Sequence, residues 1–516
     1  MNVALISIGN CPSLALRNIK RYCLGDDTLR EALHFEIYDY DIREFRNARP
    51  QSSLRWSFVT QFDETLRAML RTRPRVIGFS CYLWSIETSL HVAHMVKQVL
   101  PHTITVFGGP DAGPRSRELL AAYPQVDLVV EGDGELPMLG LLQAVLRAEP
   151  DAPLSAIDLS AVPQLRHRDP ADPAGVVENP SAPELIDMAR LAGVYTEGGE
   201  TIPDQEAMNK WTWPYVLFET LRGCPYSCSY CMYGKTPMNA RDTEPVVEEL
   251  VELLSTGLAV EIIDPTFTTY KKRAKDILRR LGEHDYTGTL TFEAYPDSLD
   301  EEMVELIAGA RVSCIGIGFQ TLSSEGLKAV KRPKNLPRFE RAIRLLREHG
   351  INFYVDLIYG LPDTTQDDFY ATVDYLHDLD IRELMVYRLL GLPGSPMMDD
   401  AEKYELVFSQ IPPYELLSSH SYTLEDLLEC ENFQFARDEL LGRLPTAAMD
   451  RLVAEAGSLS ALVRRYMEGG HGSPDAFRRA LERQGQWPLD ASNLGPLPVG
   501  TVHDPVNSAD SVPSSL

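Results

Sequence analysis

The stretch LRGCPYSCSYCMYG, Leu221 to Gly234, sets Cys224, Cys228 and Cys231 in a C-x3-C-x2-C array directly after the apolar run YVLFET, Tyr215 to Thr220. The chain has only eight cysteines in 516 residues, so three within so short a loop ask for a chemical reason. Thiolates are soft ligands suited to zinc or to iron–sulfur clusters. A structural zinc site closes with four ligands, and no fourth Cys or His lies nearby: the next cysteine is Cys314 and the nearest downstream histidine is His284. Three thiolates on a cubane leave one iron open to a substrate or cofactor. Gly223 lets the backbone turn sharply before the first ligand, and Tyr230 sets an aromatic ring beside the third.

Outward from this loop, residues 213–397 repeat a strand-then-helix rhythm. The strand candidates are YVLFETLRG, AVEIIDPTF, LTFEAYPD, CIGIGFQT, FYVDLIYGLP and LMVYRLLGLPG, with helices such as EPVVEELVELLSTG and RFERAIRLLREHG between them. Six βα units in one block predict a partial (β/α)6 barrel, whose function belongs at the strand C-termini. Residues 1–147 show the same alternation in VALISI, VIGFS, TITVFGG and VDLVVEG. Continuous apolar strands separated by helices predict a Rossmann-like, doubly wound parallel sheet. Residues 148–212, rich in Pro, Ala and Asp, read as a linker with one small hairpin. Residues 398–468 read as a short helical, acidic region, and 469–516 as a disordered tail. The fold class expected is therefore α/β throughout.

Composition bounds the rest. The chain is 44% hydrophobic and 24% charged, too long for a single core, and has no apolar run of membrane-spanning length. The opening MNVALISIGN lacks a basic leader and a cleavage site, and eight scattered or clustered cysteines form no disulfide framework, so a reducing cytoplasm is expected. A net charge of −26 disfavours a nucleic-acid partner, and no membrane association is expected.

The cysteine spacing, the aromatic at Tyr230 and the position after the first barrel strand resemble the cluster loop of the radical S-adenosylmethionine (radical SAM) superfamily. That resemblance implies a 4Fe–4S cluster held by Cys224, Cys228 and Cys231, with S-adenosylmethionine on the open iron. One electron then releases a 5′-deoxyadenosyl radical that takes hydrogen from substrate. An electron donor such as flavodoxin or ferredoxin is implied as a partner. Tyr230, Glu293, Gln320, Asp356 and Gly360 resemble family positions that contact S-adenosylmethionine. LLGLPG, Leu389 to Gly394, resembles the wall on the adenine side. For Asp356 and Gly360 the alternatives are a bridge within the fold and a plain turn.

In the first block no loop is a G-x-G-x-x-G fingerprint, so a nicotinamide cofactor is disfavoured. Three loops lie where a doubly wound sheet binds ligand: SCYLWS at Ser80–Ser85, GGPDAG at Gly108–Gly113 and EGDGE at Glu131–Glu135. Their order ahead of the cluster loop resembles the cobalamin (B12)-binding domain of cobalamin-dependent radical SAM enzymes, over roughly residues 1–469. The implied cobalamin contacts are Ser80, Tyr82, Trp84, Gly108, Gly109, Glu131, Gly132, Gly134 and Glu135. D-x-H-x-x-G, whose His binds cobalt in many B12 proteins, is absent, so Tyr82 or Trp84 is expected under the corrin. The alternative places Trp84 in the core under a helix.

The function expected is a radical SAM methyltransferase that methylates an unactivated carbon of a small-molecule or peptide substrate. A rearrangement or cyclisation with the same cofactors is the first alternative. A methylthiotransferase, using Cys11, Cys23 and Cys81 for a second cluster, is the second. Their uneven spacing speaks against it, and a zinc-stabilised scaffold is further off still.

Overall fold

A computed structural model describes residues 1–42, 62–172, 175–182, 185–195, 202–233 and 236–468. The expected tail at 469–516 lies outside the described residues. Two sheets organise the chain.

The first is seven-stranded, in the order β2-β1-β3-β4-β5-β6-β7. β1 (Asn2–Gly9), β2 (His34–Asp41), β3 (Val76–Ser80), β4 (Ile104–Gly108) and β5 (Leu128–Val130) are parallel. Their buried residues alternate between two cores. Val3, Leu5, Val76 and Ile104 pack on one side, and Ala4, Ile6, Ile77 and Phe107 on the other. Helices therefore cover both faces, as a continuous apolar strand requires. Residues 148–212 are more than a linker: β6 (Leu165–Arg168) and β7 (Val176–Glu178) extend this sheet antiparallel at its edge. Together they form the one small hairpin expected there; its joining the first sheet is hidden in the sequence, because LRHR and VVE are short edge strands with polar side chains and no two-sided apolar run.

The second sheet is six-stranded and wholly parallel, in the order β15-β14-β13-β12-β11-β8. It comprises β8 (Val216–Phe218), β11 (Ala259–Ile262), β12 (Thr289–Ala294), β13 (Val312–Gln320), β14 (Phe353–Tyr359) and β15 (Leu384–Arg388). The sheet stays open between β8 and β15, so it is a partial barrel. On its outer face Val260, Ile262, Leu290, Phe292, Ile315, Ile317, Val355 and Leu357 pack against Val247, Leu250, Leu254 and other helix residues. Burying each such side chain contributes roughly 1.5–3 kcal/mol. The alternate positions, among them Glu261, Glu293, Gly316, Gly318, Tyr354 and Asp356, face the lumen side. YVLFETLRG is not one strand: β8 stops at Phe218 and a separate β9 (Leu221–Cys224) pairs antiparallel with β10 (Thr236–Ala240). The region after 397 carries a small hairpin, β16 (Val407–Phe408) with β17 (Leu416–Ser418), before three helices between Leu424 and Glu468. Among the described residues no helix is long and apolar enough to cross a membrane.

Candidate active site

The cysteine loop is built by one close approach and one clamp. Gly223 adopts φ +90°, and a Cβ there would lie 2.1 Å from the Pro237 carbonyl oxygen, so the β9–β10 pairing tolerates only glycine. The clamp is Asp264, just past β11. The Thr220 and Leu221 amides donate to its Oδ1 at 2.8 and 3.0 Å, and the Thr220 hydroxyl donates to Oδ2 at 2.5 Å. Burial pushes the Asp264 carboxyl up to about 7 in spite of those donors. Beyond Cys224, the Ser229 amide donates to the Val330 carbonyl at 3.0 Å, and the Ser229 carbonyl accepts from the Met397 amide at 2.8 Å. The loop is thus fixed by three distant parts of the chain.

Burial raises the Cys224 and Cys231 thiols above the ordinary cysteine range, and repulsion from the other array thiols adds to it. Among the described residues no three His, Cys, Asp or Glu side chains form a site for a single metal ion. A cubane spreads its thiolates over separate irons, which fits three cysteines that sit on one loop without enclosing a point. Two sulfurs already have donors: the Tyr233 amide lies 3.4 Å from Cys231 Sγ, and Arg332 Nη1 lies 3.6 Å from Cys228 Sγ. Donors to sulfur are a general means of tuning a cluster.

Arg332 was not singled out by its sequence context, KRPK, which reads as a polar loop. In the structure its Nη1 also reaches the Tyr230 hydroxyl at 3.2 Å, and its Nη2 donates to the Gly318 carbonyl at 2.7 Å. It faces two lumen carboxylates. Glu293 Oε1 accepts from the Tyr354 hydroxyl at 2.7 Å, and burial raises its carboxyl. Asp356 is raised by burial and further by the Glu293 charge, with Arg332 pulling the other way. Glycines make the room: a Cβ on Gly316 would sit 2.1 Å from Glu293 Oε1, and one on Gly318 would sit 2.6 Å from Arg332 Nη2 and 2.7 Å from Gln320 Nε2. Gln320 takes the left-handed φ of +71°, and its Oε1 is buried without a protein partner. An orphaned acceptor beside two carboxylates and a row of thiols fits a polar, cationic ligand such as S-adenosylmethionine. Gly360 packs against the C-terminal region: a Cβ there would meet Leu416 and Leu427 at 2.9 and 3.1 Å. LLGLPG is likewise wedged, with Gly391 against Phe408 and Gly394 against Pro114 of the first domain.

In the first sheet the order 2-1-3-4-5 reverses between β1 and β3, the point where doubly wound folds receive ligands. The SCYLWS loop lies there. The Tyr82 and Trp84 rings stack at 4.7 Å and 6°, and Trp84 Nε1 donates to the Ile8 carbonyl at 3.1 Å. Trp84 is 41% exposed, which removes the reading of a core residue. A parallel aromatic pair at a switch point, its Trp84 ring exposed and Tyr82 half-buried, fits the face of a flat macrocycle. Ser80 is buried at the end of β3. Gly109, at φ +103°, is required because a Cβ would lie 2.6 Å from the Cys81 carbonyl oxygen, whereas Gly108 is uncrowded. Gly132 is at φ +83°, and Gly134 lies against Ile19.

The two acids of EGDGE are already engaged. Glu131 pairs with Arg166 of β6 at 2.7 Å. Glu135 is buried and accepts from Arg222 Nη2 and Nη1, at 2.6 and 3.1 Å. Instead of a free ligand contact, Glu135 is a tie between the first domain and the strand that ends in Cys224. Further ties run from the Trp213 amide to the Asn10 carbonyl at 2.8 Å and from Asn18 to Glu219 at 3.3 Å. Trp213 also donates to Glu261 at 2.6 Å, a third lumen carboxylate that the sequence reading passed over. The C-terminal ends of strands in both sheets are therefore tied together. Cys23 and Cys81 are buried in different cores on opposite sides of the first sheet, so with Cys11 they do not assemble a second cluster site.

Residues 218–376 match the radical SAM superfamily, and residues 24–142 match the B12 binding domain. The cobalamin-dependent radical SAM methyltransferase TokK of Streptomyces tokunonensis is 25% identical over 382 residues, 71% of this chain and 54% of its own. The 2-(S-pantetheinyl)-carbapenam-3-carboxylate methyltransferase of Streptantibioticus cattleyicolor is 27% identical over 63% of this chain and 48% of its own. The chain thus spans about half the length of these curated relatives. Among solved structures, the radical S-adenosylmethionine methyltransferase TsrM of Kitasatospora setae, with cobalamin and a 4Fe–4S cluster bound, matches with TM-score 0.59 at 19% identity, covering 79% of this chain and 76% of its own. The cobalamin-dependent S-adenosylmethionine radical enzyme OxsB matches with TM-score 0.66 at 14% identity, covering 94% and 75%.

Proposed function

We propose that this chain, a cobalamin-binding member of the radical SAM superfamily, is a methyltransferase that methylates an unactivated carbon of a small molecule. The observation that carries this reading is the junction itself: the strand that ends in Cys224 and the β1 end of the switch point are tied by the Arg222–Glu135 pair and the Trp213–Asn10 hydrogen bond. When bound, the three groups supply a one-electron cleavage of S-adenosylmethionine and a transferable methyl group. Cys224, Cys228 and Cys231 would hold the cluster. Gln320 Oε1, Glu293 and Asp356 would receive the polar end of S-adenosylmethionine, and the Tyr82–Trp84 pair would lie under cobalamin.

The chain's own contribution is placement. The Asp264 clamp and the Ser229 straps fix the loop. The domain ties would hold the residues around the two cofactors in a fixed relation, so that a substrate could be oriented toward both, which is where orientation lowers a barrier. Burial around Arg332, Glu293 and Asp356 excludes bulk water from the reacting space.

The test is anaerobic reconstitution with iron, sulfide and hydroxocobalamin, then mass spectrometry with S-adenosylmethionine and dithionite. 5′-Deoxyadenosine and S-adenosylhomocysteine should both form, and Cys228→Ala should abolish the first. 5′-Deoxyadenosine without S-adenosylhomocysteine, on any substrate that is consumed, would replace methyl transfer by rearrangement. Failure to bind cobalamin would end the reading altogether.

A further inference from the structure

Glu261 is the lumen carboxylate that the proposed function leaves without a task. It lies in β11 between Val260 and Ile262, both buried in the core on the outer face, so its side chain turns into the lumen. Its Oε2 accepts from Trp213 Nε1 at 2.6 Å, and among the described residues no Lys, Arg or His pairs with it. An indole N–H holds one oxygen but brings no charge. Burial raises the Glu261 carboxyl, the Trp213 hydrogen bond pulls it back, and the Glu293 charge raises it further.

Its position spans the two domains. Toward the lumen its charge acts on Tyr354, the partner of Glu293. Toward the first domain it is the foremost charge acting on the Cys11 thiol, in the loop after β1. Trp213 reaches the same loop, its amide donating to the Asn10 carbonyl at 2.8 Å. The Asn10 side-chain oxygen, Oδ1, is buried with no donor among the described residues. Two acceptors from different domains therefore flank Trp213: a carboxylate without a cation and an amide oxygen without a donor. Beside them the walls are apolar. Ile263, two residues along from Glu261, and Tyr387 of β15 are both exposed on the lumen side of the sheet.

We infer that Glu261 is a specificity-determining residue that takes a protonated amine of the substrate, so that the substrate is a small molecule with an ammonium group beside an apolar body. This rests on the proposed function above, which puts the substrate between the two cofactors. A buried carboxylate without a counter-charge is costly, and a substrate ammonium supplies that charge. It also carries three N–H donors, enough for the free Glu261 oxygen and for Asn10 Oδ1. S-adenosylmethionine leaves Glu261 open in this assignment, because its polar end goes to Gln320, Glu293 and Asp356.

The test uses two probes of equal shape, cyclohexylmethylammonium and cyclohexylmethanol, on the reconstituted chain loaded with cobalamin and S-adenosylmethionine. Ligand-observed nuclear magnetic resonance reads both affinities. The ammonium should bind wild type at least about tenfold more tightly than the alcohol, the value of one charge-assisted hydrogen bond. Glu261→Gln keeps an acceptor for Trp213 and should lose that preference. Its affinities for the alcohol, cobalamin and S-adenosylmethionine should stay within about twofold of wild type. Equal affinity of the two probes for wild type, binding of neither, or an unchanged preference in Glu261→Gln would overturn the assignment; a carboxyl that stays protonated gives the first of these. Loss of cobalamin affinity in the variant would overturn it too, by making Glu261 a cobalamin contact. A wild-type chain that binds no cobalamin would instead overturn the proposed function, and the comparison of the two probes on that chain would still test Glu261.

Discussion

Asp264 holds the turn that separates β8 from β9, and its removal should be felt by the whole cysteine loop. In Asp264→Ala the Thr220 and Leu221 amides lose their acceptor inside the protein, where Thr220 is 0% and Leu221 2% exposed. Each buried donor left unpaired costs about 1–3 kcal/mol, so the variant should lose roughly 2–6 kcal/mol. Taking ~2 °C per kcal/mol for a domain of this size, the melting midpoint should fall by several degrees. Asp264→Asn keeps an acceptor for both amides and should cost far less. It also removes a titration. The Asp264 carboxyl is raised from its ordinary value of 3.8 to about 7 by burial. A group raised on folding contributes stability that is complete below its unfolded value and is lost as pH climbs through its folded value. Wild type should therefore lose stability relative to Asp264→Asn between about pH 4 and about pH 7, with the difference level above that. Urea unfolding of the chain without cofactors, followed by circular dichroism across that range, reads both effects. An Ala variant within about 1 kcal/mol of wild type, or a wild-type-to-Asn difference flat in pH, would refute the clamp.

Arg222→Met leaves the buried Glu135 and Glu219 without their shared cation, and should cost about 3–5 kcal/mol in thermal unfolding, since both carboxylates lie near 2.6–2.9 Å from it. Arg332→Met removes a positive charge and a donor from Cys228 Sγ. The cluster should still assemble, with a midpoint potential lower by on the order of 60 mV, the one-electron equivalent of a tenfold change, in an anaerobic titration followed by electron paramagnetic resonance. Gly316→Ala places a methyl where Glu293 Oε1 lies, 2.1 Å away, and must displace that carboxylate. Equilibrium binding of S-adenosylmethionine to the reconstituted chain should weaken at least about tenfold, while circular dichroism stays unchanged.

What the sequence discloses depends on how local the cause is. The C-x3-C-x2-C array is legible because its ligands sit on one short loop, and Gly223 beside it is legible as a turn. The central strands are legible because burial on both faces writes an unbroken apolar run. The β6–β7 hairpin is legible as a hairpin, but its place in the first sheet is not, because an edge strand needs no such run: Arg166 and Arg168 of β6 lie in the sheet and spend their guanidinium groups on ion pairs and carbonyls. YVLFETLRG reads as a single strand, yet it breaks after Phe218, because a carboxylate 44 residues away captures the next two free amides. Glu135 shows the same limit from the other side. Its glycine-flanked setting resembles a ligand loop, but the partner that claims it, Arg222, is 87 residues distant. Arg332 is the strongest case: nothing in KRPK separates it from its exposed neighbours, and only the folded chain brings Tyr230, Cys228 and the Gly318 carbonyl to one guanidinium. Charged residues therefore carry the least legible roles in this protein. Their partners are chosen by the fold, and a charge that looks like surface in sequence becomes part of the site once three elements converge on it.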